Sequence, residues 1–292
     1  MMPNELPVTI QEQNKYYRGF HNHPVMLEVM KMWRSLPFFG ELAVVHPDVK
    51  VATFYSEAID ASKVESYLEW FTSDYLTFGR FVAHLLMDTT QGYWTQCIMH
   101  DTDYCAIILR PDSTEPKIAI YPTEETQEWA TSKDQKIVDL REQLDPELMA
   151  NLADGNPIWL DPRDTLFMAR KAFPTDYYGT SFLNHASYDH RPSTLLKRCG
   201  VYIAHLKNPT DFKLAYVHRV EALRERFLDY IFRQKMLPTL AKMHEHSVPD
   251  VEWVAGMTEE QIHSYVTSML EGLCQQLGTT MEELEADQQR HN

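Results

Sequence analysis

The stretch VESYLEWFTSDYLTFG, residues 64–79, changes its periodicity at its last residue. Val64, Tyr67, Leu68, Phe71 and Tyr75 recur at steps of three and four, which gathers them on one face of a helix. Gly79 interrupts that pattern. FVAHLLMD, TTQGYW and TQCIM follow and read as strand, turn and strand, with Gly92 in the turn. DYCAIILR and PKIAIY are further β-branched runs bounded by turn residues. The spacing predicts a helix over 61–78 followed by a small antiparallel sheet packed on helices, an α+β arrangement.

Flanking segments extend this reading. Residues 25–35 predict a short helix, with Met26, Met30 and Trp33 near helical spacing and Pro37 as its stop. Residues 50–55 read as a strand or extended passage. Residues 124–152 are polar and partly helical. DGNPIWLDPRD places turns around a short strand at 158–160, and TLFMAR is a strand leading into FPTDYYGTSFL, residues 173–183. Beyond it the chain turns helical, over 194–206 and then over 211–246, where Val220, Leu223, Phe227, Tyr230 and Ile231 share a face. Pro238 should kink that helix or start a second one. Residues 248–256 read as a break. Thr258 with Gln261, and Thr280 with Glu283, have capping-box spacing and should open two last helices. Four regions result: an N-terminal arm and short helix (1–60), an α+β unit (61–183), a helical region (184–250) and an acidic helical segment (251–292).

Composition narrows the function classes. Of 292 residues, 44% are apolar and 12% aromatic, enough for a sizeable core. No run is apolar enough to span a bilayer, and the N-terminal residues lack the basic start and apolar stretch of a signal peptide. Cys97, Cys105, Cys199 and Cys274 are scattered and read as reduced residues of a cytoplasmic chain. A net charge of −15 argues against a protein that coats DNA. The charge is uneven: residues 191–235 hold ten Lys or Arg and four acids, whereas residues 243–289 hold ten acids and no Lys or Arg. Neither G-x-G-x-x-G nor G-K-[ST] occurs, so common nucleotide chemistry is not expected, and no cofactor is implied.

Several constellations invite chemistry, each with a plainer explanation. His21-x-His23 and His244-x-His246 would share a face on a strand but diverge by about 200° on a helix, and neither pair has an obvious third metal ligand. His100-Asp101-x-Asp103 is either a metal or acid–base cluster or a polar turn between strands. Gly179-Thr180-Ser181 lacks the second glycine of a nucleophile elbow, and no histidine is marked out as a base for Ser181. The residues fit a junction better. Pro174 and Asp176 end the sheet, Tyr177 and Tyr178 pack against it, Gly179 permits a turn, and Thr180 or Ser181 caps the next helix. Arg219, Arg226 and Arg233, seven residues apart, form a basic stripe that would be solvated, face a neighbouring subunit or face DNA.

Taken in order, DYLTFGRF, HLLMDTTQGYWTQCIMHDTD, IAIYPTEE and DGNPIWLDPRDTLFMARKAFPTDYYGTSFL resemble the central region of tailed-bacteriophage portal proteins. In that family a helix ends in a hydrophobic–Gly step, a β-rich wing follows, and the last wing strand passes through an aromatic-rich YGTSxL turn into a helix. VEALRERFLDYIFRQKMLPTLAKMHEH is similar to a helical segment of large-phage portals. The likeness covers residues 64–183 and 220–246. The stem and clip that portals insert after the GTSxL turn are reduced here to residues 184–219, so the chain would be a short member.

The resemblance implies a non-enzymatic virion protein, a ring of usually twelve copies at a capsid vertex, through which double-stranded DNA is packaged and ejected. The implied partners are further copies of itself, the major capsid protein, the terminase large subunit and neck or head-completion proteins, with no membrane. The implied location is the virion, with assembly in the host cytoplasm. An acidic lining with sparse basic residues would let DNA slide without holding it. Two other functions fit parts of the sequence: a metal-dependent or hydrolytic enzyme using His21, His23, His100, Asp101 and Asp103, and a portal-like adaptor without a channel.

Overall fold

The computed structural model describes residues 10, 11, 14, 23–88, 90–108, 116–133, 146–169, 177, 178 and 191–290. Helix α1 (Pro24–Ser35) starts on a proline at its first turn, and the His23 ring accepts from the Val25 N–H. Its buried face carries Val25, Met26, Val29, Met30, Met32 and Trp33, and a 3₁₀ turn around Pro37 ends it. Strand β1 (Glu41–Val45) follows.

Residues 50–55 are helical, not extended. They lie in α2 (Val49–Ser62), whose N-cap Asp48 accepts from the Lys50 N–H at 2.8 Å. Val49, Val51 and Thr53 favour a strand locally, but burial of Tyr55, Ala58, Ile59 and Ser62 at helical spacing overrides that preference. Lys63 then breaks the helix in the left-handed region (φ 61°), so the expected helix over 61–78 is α3 (Val64–Phe78) preceded by the end of α2. Gly79, at φ 69°, closes α3.

Two antiparallel sheets follow rather than one. Strands β2 (Arg80–Asp88) and β3 (Tyr93–Met99) form the expected hairpin, with Ala83 opposite Met99 and a bulge at Leu86/Met87. Strand β4 (Cys105–Ile108) pairs with β5 (Lys117–Ile120). Helices α4 (Glu124–Thr131) and α5 (Pro146–Ala153) come next, and then β6 (Ile158–Leu160), which pairs with β5. Strand β7 (Thr165–Ala169) returns to the hairpin and pairs with β2, placing Ala169 opposite Arg80. Strand β8 (Tyr177–Tyr178) pairs with β4. The sheet orders are β3-β2-β7 and β6-β5-β4-β8.

The remainder is mainly helical. Helix α6 (Pro192–Arg198) leads through a 3₁₀ turn to α7 (Pro209–Phe212). From α7 one continuous helix runs to His244 through a π segment at Lys213–Val217, α8 (His218–Phe227), a second π segment at Leu228–Met236, and α9 (Leu237–His244). Pro238 lies in the first turn of α9, where the π segment gives way to α-helix, so a new helical segment starts there as expected. Proline has no N–H for the carbonyl four residues back and its ring crowds that carbonyl. The wide turn before it, in which the Leu237 N–H reaches the Phe232 carbonyl, is the register that a proline can follow.

Strand β9 (Asp250–Val254) fills the segment read as a break and pairs with β1, Glu41 opposite Val254. Helices α10 (Glu259–Leu277) and α11 (Met281–Arg290) begin at the two expected capping boxes. The Thr258 hydroxyl accepts from Gln261 N–H at 3.3 Å while Gln261 Oε1 accepts from Thr258 N–H at 2.8 Å. Thr258→Ala removes one of these bonds and should cost about 1 kcal/mol, read as a fall of about 2–4 °C in the thermal midpoint.

One apolar cluster holds these parts together. It includes Trp33, Phe71, Phe81, Val220, Phe227, Phe232, Val266 and Leu284, residues of α1, α3, β2, the long helix, α10 and α11. Rings stack from Phe71 to Phe81 at 4.5 Å and from Phe81 to Phe227 at 5.9 Å, so the sheet face and the long helix meet directly. Two smaller clusters flank the four-stranded sheet: one joins Ile10 to Ala106, Ile108, Ala119 and Tyr121, and the other joins Cys105, Ile107 and Ile118 to Val82 of the three-stranded sheet. No helix among the described residues is long and apolar enough to cross a membrane.

Candidate functional site

The step from α3 into β2 places a charge in the interior. Arg80 directly follows Gly79 and is fully buried. Its guanidinium donates to the carbonyls of Cys105 (3.2 Å), Phe78 (3.3 Å) and Thr102 (3.2 Å), and to Asn14 Oδ1 (2.9 Å). Asn14 in turn donates to the Asp103 carbonyl at 2.6 Å. A planar fork with five donors can tie an arm, a helix end and a turn in this way, which a lysine cannot.

Beside it, the Thr102 hydroxyl donates to the Asp74 carboxylate at 2.5 Å. Burial pushes the Asp74 carboxyl up to about 7, partly offset by the Thr102 bond, with Asp101 adding repulsion and Arg80 attraction. Asp101 Oδ1 accepts from the Asp103 N–H at 3.1 Å and caps the 3₁₀ turn Thr102–Tyr104. His100 lies next to His84, ring centroids 6.4 Å apart. Burial, and secondarily His84, hold His100 down at about 4, and burial lowers His84 as well. The His100-Asp101-x-Asp103 run is therefore a turn with two neutral histidines behind it. Among the described residues no three His, Cys, Asp or Glu side chains are grouped to hold a metal ion. His23 caps α1, and His21 lies outside the described residues.

The other histidine pair ties the hairpin to the long helix. His244 and His246 pack edge-on against Phe54, at 4.6 and 5.2 Å. His244 Nε2 bonds to the Gly92 carbonyl at 2.7 Å. Gly92 sits at φ 74°, and a Cβ there would lie 2.9 Å from His244 Cε1. Gly92→Val should cost about 1–3 kcal/mol through strain and overlap. In a His244→Ala background it should cost measurably less, which a double-mutant cycle on denaturation free energies reads directly.

The arginine stripe is not a continuous outward-facing row. Arg219 lies over the Trp33 ring, 4.2 Å from its centroid, and a Cβ on Gly200 would overlap its Nη1. Arg226 is exposed and donates to the Tyr75 hydroxyl at 2.9 Å. Arg233 donates to Asp250 (2.7 Å), Glu225 (2.8 Å) and the Val251 carbonyl (2.6 Å), fastening β9 to the long helix. Arg219 and Arg226 share α8 yet meet different surroundings, and a π segment, with more residues per turn than an α-helix, separates Arg226 from Arg233.

Of the junction residues, Tyr178 lies in β8 opposite Ile107. Pro174, Asp176, Gly179, Thr180 and Ser181 lie outside the described residues.

Sequence reasoning missed Asn14, Asp74 and Arg80. Arg80 had a signal, a lone charge between Phe78-Gly79 and Phe81 in an apolar strand. Asp74 had a fainter one, an acid three residues after Phe71 and four before Phe78 on the apolar side of its helix. Asn14 carries no local sign of its contact, which spans 66 residues to Arg80.

No protein-family model matches the chain, and no curated protein matches it in sequence. Two solved chains are similar in structure. One is from the neck of an empty gene transfer agent (GTA) particle computed with C6 symmetry, 9% identical, covering 91% of this chain and 89% of that one, TM-score 0.42. The other is from the virion of a native GTA particle, 10% identical, covering 93% and 89%, TM-score 0.41.

Proposed function

We propose that the chain is a structural protein of a phage-like particle. Within that class, it is the portal subunit, a ring-forming protein through which DNA enters and leaves a capsid vertex. The observation that carries this reading is the closure of the sheet unit on its own entrance. The chain leaves α3 at Gly79, builds two small sheets, and returns in β7 beside β2, Ala169 opposite Arg80. A β-rich wing set between helices is what the ordered motifs of the sequence imply, and the pairing of β7 with β2 is consistent with such a unit. The long helix then packs under that wing through Phe81 and Phe227.

In this reading residues 61–183 form the wing and residues 184–250 the short stem. The partners are further copies, the major capsid protein, the terminase large subunit, neck or head-completion proteins, and DNA in transit. Arg226, exposed beside Tyr75, is the member of the arginine trio that a neighbouring subunit or DNA can reach. The overall negative charge keeps any such contact weak enough for DNA to move. Negative-stain images and light-scattering mass of concentrated protein test the reading. A closed ring near twelve copies with a DNA-wide hole supports it. A two-fold or isolated assembly favours the adaptor, and a strict monomer overturns the ring.

A further inference from the structure

We propose that the three-stranded and four-stranded sheets meet at an acid-sensitive seam. His84 and His100 line one end of it, keep it closed while both rings are neutral, and part it when protonated. Arg80 is the pivot at the other end. The device needs no neighbouring copy.

Alternation along β2 builds the seam. Phe81, Ala83 and Leu85 enter the main apolar cluster. Val82 faces the other way and packs with Cys105, Ile107 and Ile118 of the four-stranded sheet, with Phe167 and Ala169 of β7 beside them. Arg80 and His84 share the face of Val82, one on either side of it. Arg80 donates to the Cys105 carbonyl at 3.2 Å and so fastens its end. At the other end, His84 lies opposite Ile98 of β3 and Thr165 of β7. The His100 N–H donates to the Val82 carbonyl at 3.0 Å, which sets His100 diagonally to His84 on the same face. Their rings stack with centroids 6.4 Å apart and planes at 26°. His100 Nε2 is buried and has no hydrogen-bond partner among the described residues. A protonated imidazole donates from both nitrogens, so a proton there meets no acceptor.

The charged neighbours do not compensate for this. Asp164 and Asp161 act on His84 from the turn before β7 and favour its protonated form, but burial outweighs them. Arg163 is paired with both of these acids. Burial and His84 act on His100, and both oppose a proton. Asp101, next in the chain, turns its carboxylate to the Asp103 N–H. From the four-stranded sheet come Cys105, whose thiol is kept neutral by burial, and Lys117, exposed at a strand end. From the long helix, Lys235 donates to the Pro162 carbonyl, and Tyr230 packs on Phe167 as a neutral phenol. His100 is held at about 4 against an ordinary 6.5, so its contribution to closure is whole above pH 6.5 and fades as pH falls towards 4. Asp74, at the Arg80 end, has the opposite sign, because its protonation below about 7 favours the folded chain. Acid therefore loosens the histidine end while the pivot holds.

The test follows the Cys105 thiol, buried at the seam, against Cys97 and Cys199, buried in the main cluster. The full chain is treated for timed intervals with dithiodipyridine, which modifies thiols in acid as well as at neutral pH. Mass spectrometry of peptides maps the modified cysteines, and each rate is divided by that of a free-thiol peptide at the same pH. If His100 regains its ordinary value in the open form, opening becomes about seventyfold more frequent at pH 4.5 than at pH 7.5. The Cys105 rate should rise by at least that factor, with little change at Cys97 and Cys199. His100→Leu removes the titrating ring and should cut the rise to below about tenfold. Equal rises at all three cysteines would mean global unfolding and would overturn the seam. A Cys105 rate that is the same at both pH values overturns it too, as does a rise that survives undiminished in His100→Leu. If His100→Leu does not fold, His84→Gln decides in its place: a smaller rise supports the seam and an undiminished one overturns it.

Discussion

Arg80→Met should lower the stability of the chain by about 3–5 kcal/mol, more than an ordinary core truncation of that length. The methionine replaces the aliphatic stem and supplies no donors. It leaves the carbonyls of Phe78, Thr102 and Cys105 and the Asn14 side chain each short of a hydrogen bond in a largely buried junction. A buried acceptor without a donor costs about 1–3 kcal/mol, and partial relaxation keeps the total below the simple sum. Arg80→Lys keeps the charge but offers three donors on one atom, which cannot span acceptors on the arm, the helix end and the turn. It is expected to recover less than half of the loss. Urea denaturation of the three proteins, analysed at constant slope, gives the comparison. A loss below about 1 kcal/mol for Arg80→Met would falsify the junction as a structural tie.

Local signals in the sequence carried the fold wherever short-range chemistry decides the outcome. The α3 stripe, the turn at Gly92, and the boxes at Thr258/Gln261 and Thr280/Glu283 are written within a few residues of where they act. What could not be read depends on distant partners. β1 and β9 are short and weakly patterned, and each is a strand because the other lies beside it, Val45 opposite Asp250. The helix over residues 50–55 is fixed by a cap and by burial of Tyr55 and Ile59, against the local β-branched composition. The separate partners of Arg219, Arg226 and Arg233 were not legible for a different reason. Seven-residue spacing does not say which neighbours each side chain meets: Arg219 finds Trp33, Arg226 finds Tyr75, and Arg233, beyond the start of a π segment, finds Asp250. The candidate site was half visible. The His100-Asp101-x-Asp103 turn was found and its plainer explanation holds, but Asp74, Arg80 and Asn14 meet it from three other elements.

Asp74 makes the stability of this junction depend on pH in a direction that isolates it. Its carboxyl is raised from an ordinary value near 3.8 to about 7, chiefly by burial. The folded chain therefore prefers the protonated acid. That preference contributes fully below pH 3.8, is lost as pH rises towards 7, and stays lost above it. A shift of this size corresponds to about 4 kcal/mol, and the carboxylate's residual contact with water brings the expected effect to about 2–4 kcal/mol. Asp74→Asn keeps an oxygen for the Thr102 hydroxyl and removes the charge. The variant should match the unmodified chain near pH 4 and exceed it by about 2–4 kcal/mol at pH 8. His84 and His100, both held below their ordinary values, act in the opposite sense, since the unfolded chain binds their protons more readily and stability gains as pH rises. They are unchanged in the variant, so the difference between the two stability curves from pH 4 to pH 8 reports Asp74 alone. Parallel curves would mean that the carboxylate is solvated in the folded chain. A gap that opens between pH 4 and 7 would identify Asp74 as a buried acid kept at a cost to stability beside Thr102, at the point where arm, helix and wing meet.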